Sequence, residues 1–122
     1  MREIIENRLI DFAVSIIDLC SNLKNGYASQ HLAKQIIRSS TSSALNYGEV
    51  QGAESRKDFI HKTSIILKEL RETHICLRII VKSNLIKGAG INDTILKECV
   101  ELISIFQKTV KTAKSNNKRV KS

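Results

Sequence analysis

Not one proline interrupts the 122 residues of this chain, and glycine occurs only five times. These two residues punctuate turns, so a chain nearly free of both cannot be cut into many short strands joined by tight turns. Long helices remain, and the apolar residues fall where long helices need them.

Four helical segments follow from that spacing. The first covers about residues 3–23, with Leu9, Phe12, Ala13, Ile16, Ile17, Cys20 and Leu23 on one buried row. Asn25-Gly26 ends it, because glycine accepts the backbone that closes a helix. The second covers about 29–51 with Ser29 as N-cap, and its row is Leu32, Ile36, Ser39 or Ser40, Ser43, Tyr47 and Val50. Helix propensity is poor here, since Ser, Thr, Asn and Gly compete with the helical backbone, so packing must hold the segment. The third begins with Ser55-Arg56-Lys57-Asp58, a capping-box arrangement, and carries Phe59, Thr63, Ile66, Leu67, Leu70, His74, Leu77 and Val81 to about Ser83. After the loop Lys87-Gly88-Ala89-Gly90, Asn92 or Asp93 caps a fourth segment with Leu96, Cys99, Val100, Ile103, Phe106 and Val110.

The predicted fold is all-α: one antiparallel up-down-up-down four-helix bundle over residues 1–114, followed by a basic, disordered tail at 115–122. The first segment adds Ile10, Val14 and Leu19 outside its buried row, and the third adds Ile60, Ile65, Ile75, Ile79 and Ile80. Apolar residues on more than one face call for a second partner surface, and self-association is the simplest.

The net charge is +8. Residues 1–26 sum to −1 and 27–53 to +1, whereas 54–90 and 91–122 each sum to +4. After Glu101 no acid follows. Such a balance speaks to partners such as nucleic acid, anionic membrane or acidic proteins, not to fold. No apolar run is long enough to span a bilayer, and the opening MREIIENRLID lacks the pattern of a secretory signal. Cys20, Cys76 and Cys99, odd in number and at apolar helix positions, read as buried free thiols, which points to the cytoplasm.

One ordered run carries a family signal: Arg38-Ser39-Ser40-Thr41-Ser42, Asn46-Tyr47-Gly48-Glu49, Gly52, Ser55, Lys57-Asp58-Phe59-Ile60, Leu67-Lys68-Glu69-Leu70 and Glu72-Thr73. It resembles the four-helix bundle proteins encoded by intervening sequences within bacterial 23S ribosomal RNA genes. The likeness extends from about Leu9 to Lys111 and departs from the pattern in the 82–95 loop, which is glycine-rich and poor in acids. It implies an antiparallel bundle assembled as a ring-like homopentamer. It also implies kinship with the basic accessory variability protein of diversity-generating retroelements, which works with a reverse transcriptase and nucleic acid.

The residues themselves point away from catalysis. His31, His61 and His74 are too far apart to pair on adjacent turns, no Cys-x-x-Cys is present, and no cofactor or metal is expected. Ser39 and its neighbours serve as small side chains that let the second helix come close to others, their hydroxyls bonding back along the helix. Among the motif residues Arg38, Ser39, Asn46, Glu49, Gly52, Phe59, Glu69 and Glu72, the charged ones fit an Arg–Glu network that fixes helix register, in preference to a catalytic carboxylate pair. Arg56, Lys57 and Lys62 at the start of the third helix, with Lys108, Lys111 and Lys114 near the end of the fourth, are the candidate phosphate contacts. The expectation is a non-enzymatic oligomer that binds nucleic acid, structured RNA first. The alternative is a scaffold whose basic face holds an acidic protein such as a nucleic-acid enzyme.

Overall fold

The structure, a computed structural model, describes residues 2–88 and 93–121, with side chains as far as Asn116. Ala89, Gly90 and Asn92, assigned above to the loop and a cap, lie outside the described residues. Four helices follow in order: α1 (Arg2–Cys20), α2 (Tyr27–Val50), α3 (Arg56–Lys82) and α4 (Asp93–Lys121). Each packs on its neighbour in sequence, and α4 returns to α1 to close an antiparallel four-helix bundle. The α2–α3 contact is the most extensive and the α1–α4 contact the slightest, while α1 and α3 stand diagonally with no close backbone approach.

At one end of the bundle the chain after α1 pairs with the chain after α3. Leu23 and Ile86 form an antiparallel bridge. Lys24 N–H donates to Leu85 O at 2.7 Å and Lys87 N–H to Asn22 O at 2.8 Å. This clip sets the heights of α1 and α3 against one another.

The core is continuous, with Leu9, Phe12 and Ile16 of α1, Ile36 of α2, Ile66, Leu70, Leu77 and Ile80 of α3, and Leu102 and Phe106 of α4 at its centre. Tyr47 meets Phe106 edge-on with ring centroids 5.8 Å apart. All three cysteines are free thiols; Cys76 and Cys99 are buried and Cys20 half-buried. Burial pushes Cys20 up to about 11 and Cys99 up to about 12, because a thiolate is costly in an apolar surround.

Several details differ from the sequence reading. α2 starts at Tyr27 with Gly26 as its N-cap, at φ 144°, where a side chain would be strained. Ser29 is instead buried in the first turn. Buried rows are also shifted at three places: Leu19 replaces Ile17, Thr73, Cys76 and Ile80 replace His74 and Val81, and Leu102 replaces Val100. The helix α4 continues to Lys121, past the expected end at 114, since no glycine or proline stops it.

Candidate nucleic-acid interface

The start of α3 is built by its cap. Ser55 has extended backbone and its Oγ accepts the Asp58 N–H at 3.0 Å. The Asp58 carboxylate accepts the Glu54 N–H at 3.2 Å and pairs with Lys62 at 3.3 Å. Those contacts, the backbone bond to Glu54 first, hold the Asp58 carboxyl below the usual carboxylate range. With this turn fixed, Arg56 projects toward the last turns of α4. Arg56, Phe59, Lys108, Thr109, Thr112 and Asn116 line an open cavity of about 380 Å³. A second cavity, of about 420 Å³, lies on the other side of Arg56 and Phe59, against Val50, Ala53 and Ser55.

Arg56 and Lys108 are therefore brought together, although they are far apart in sequence. Lys111 and Lys114 are exposed further along α4, but steps of three residues carry them progressively round the helix. Lys57 is exposed and turned about 100° from Arg56, onto the outer face of α3. Lys62 stands apart: held by Asp58 and only 24% exposed in its side chain, it can reach a phosphate only by giving up that pair.

The motif residues form a second, structural cluster. Arg38 on α2 reaches Glu69 at 3.2 Å and Glu72 at 2.9 Å on α3. Glu69 is buried, and its partner is the half-exposed guanidinium. Beside them Ser39 Oγ and Thr73 Oγ1 share a hydrogen bond of 2.7 Å in the α2–α3 contact, and Thr73 donates to Glu69 O. Asn46 stays within its own helix, donating to Ser42 O and Ser42 Oγ. Glu49 and Gly52 are exposed at the end of α2, and Phe59 is half-buried. Among the described residues no group of three or more His, Cys, Asp or Glu could hold a metal ion.

Sequence reasoning missed the outer face of α3. Lys57, Lys68, Arg71, Arg78 and Lys82 share it, all exposed, and none makes an ion pair among the described residues. The signal was present as two seven-residue series, 57-64-71-78 and 61-68-75-82, which lie side by side on a helix. Charges summed by segment cannot reveal it.

The family described as 23S rRNA-intervening sequence protein matches residues 3–108. The chain belongs to that family. A crystal structure of an S23 ribosomal protein family member of unknown function, from Bacteroides thetaiotaomicron, is similar at 30% identity with a TM-score of 0.74. The alignment covers 91% of this chain and 99% of that one. No curated protein matches the chain. Among the described residues of this intervening-sequence protein, no helix is long and apolar enough to cross a membrane.

Proposed function

We propose that this intervening-sequence protein is a non-enzymatic, cytoplasmic homo-oligomer, a pentamer as the family resemblance implies, that binds structured RNA through the basic end of its bundle. The observation that carries the reading is the meeting of Arg56 and Lys108 on one open cavity, with Lys57, Lys111 and Lys114 exposed nearby. Lys62 is a reserve contact, available once its pair with Asp58 opens. Phosphate oxygens are the complement of such an edge, and contacts of this kind give affinity with little sequence preference. Repetition round an oligomer turns weak single contacts into strong joint binding.

The test is binding of purified protein to a labelled, structured RNA across a salt series. Affinity falls steeply as salt rises. The triple variant Lys108→Glu, Lys111→Glu, Lys114→Glu flattens the log–log slope by roughly 0.9 for each phosphate that is no longer neutralised. Negligible binding at low salt overturns the proposal. A discrete acidic protein co-purifying in the absence of nucleic acid would then favour the scaffold.

A further inference from the structure

The outward face of α1 is the chemical opposite of the outward face of α3. On α1, the apolar Ile10, Val14 and Ile17 are exposed, Val14 by 51%. The exposed acids Glu3, Asp11 and Asp18 flank them, and the one exposed cation of α1 is Arg2, at its very start. On α3, Ile75 and Ile79 are exposed, Ile75 by 56%, and Lys68, Arg71, Arg78 and Lys82 flank them, while the acid that borders this face, Glu72, is paired with Arg38 of α2. The acids of α3 are already engaged: Asp58 holds Lys62, and Glu69 and Glu72 hold Arg38. Cations three and four residues apart on one helix face, Lys68 with Arg71 and Arg78 with Lys82, repel one another, so this row costs the isolated chain stability.

The heights of the two faces also agree. The Leu23–Ile86 bridge places those residues level, and α1 and α3 run in the same direction toward it. Counting back equal numbers of residues along each helix sets Val14 level with residue 77, between Ile75 and Ile79. The same count sets Glu3 within a turn of Lys68, Asp11 between Arg71 and Arg78, and Asp18 beside Lys82. Because α1 and α3 are diagonal in the bundle, one copy shows the acidic face on one side and the basic face on the other.

We infer that the α1 outer face of one copy docks on the α3 outer face of the next, with the bundles parallel and level. The partner is a second copy of this chain. Two different faces meet, so the contact is head-to-tail and each copy keeps one of each face free until a ring closes. Ile10, Val14 and Ile17 cover Ile75 and Ile79, and the flanking charges fix register and exclude a copy turned upside down. This inference adds the assembly surface to the oligomer proposed above, and it leaves the Arg56–Lys108 edge free on every copy.

Charge reversal tests it, with mass read by light scattering and folding by circular dichroism. The wild-type chain runs as an oligomer. Asp11→Lys with Asp18→Lys, or Arg78→Glu with Lys82→Glu, reduces the mass to that of a single 13.7 kDa chain while helicity stays unchanged. Combining all four substitutions in one chain restores assembly, because every junction again joins opposite charges. The inference is overturned by a monomeric wild type, or by both double variants keeping the full mass. It is equally overturned if the α3 variant loses RNA affinity at unchanged mass, since the row would then be a phosphate contact. The Lys108, Lys111 and Lys114 triple variant keeps its mass whatever its RNA affinity, so failure of RNA binding and failure of this interface are read separately.

Discussion

Ser39, Ser40 and Ser43 are wholly buried in α2, and each hydroxyl finds an acceptor on its own helix: Ile36 O, Ile37 O and Ser40 O. A hydroxyl satisfied in this way costs little to bury, and its small volume lets α2 lie close against its neighbours. Ser43→Ala should therefore change stability by no more than about 1 kcal/mol. Ser43→Leu, which forces three extra carbons into a filled contact, should destabilise by about 1–3 kcal/mol. Urea unfolding of the two variants checks both values. The serine run was legible because small residues in one helical row have few other uses. Ser29 was not: α1 has already closed at Cys20, so Gly26 serves α2 alone as its cap and leaves Ser29 inside with an Oγ lacking a hydrogen-bond partner. Sequence alone does not say which of two helices a glycine between them punctuates.

At the scale of the element, the four helices were readable and their buried rows only partly so. Where isoleucine and valine occur on two sides of a helix, spacing admits two rows about 100° to 160° apart, and only the neighbouring helix chooses. That is how Ile17, Val81 and Val100 came to be exposed while Leu19, Ile80 and Leu102 are buried. α3 was the firmest because its cap is chemical rather than periodic. Removing the acceptor in Ser55→Ala should cost about 1 kcal/mol, and faster hydrogen exchange at the Asp58 amide would locate the loss in the first turn. Unchanged exchange there would mean that the Asp58 contacts with Glu54 and Lys62 hold the turn by themselves. The candidate contacts Arg56 and Lys108 were visible as charges, but their convergence depends on how α4 crosses the start of α3, which no local pattern encodes.

For the whole molecule, the buried thiols set an alkaline limit. Burial raises the Cys99 thiol from 9.0 to about 12, so the folded chain keeps its proton when the unfolded chain loses it. Stability from this group is complete below about pH 9, falls as pH rises beyond that, and is exhausted near pH 12. Cys20, raised to about 11, acts in the same direction. Denaturation midpoints measured upward from pH 8 should therefore decline, and Cys99→Ala should decline less steeply than the wild type. Equal slopes would assign the loss to other groups.

The joint between the first and last helices is of a different kind from the others. Arg8 binds Glu98 at 2.6 Å and Glu101 at 3.0 Å across the slightest helix contact in the bundle. The bond to Glu98, above all, lifts the guanidinium further from losing its proton. The α2–α3 seam adds its Arg38 pairs to a broad contact of oil and small hydroxyls, whereas the narrow α1–α4 seam is in good part a clasp of charges. Dissolved ions loosen a clasp more than they loosen oil. The bundle is thus bound like a book, with α2 and α3 as the spine, α1 and α4 as the covers, and a lock that brine can turn.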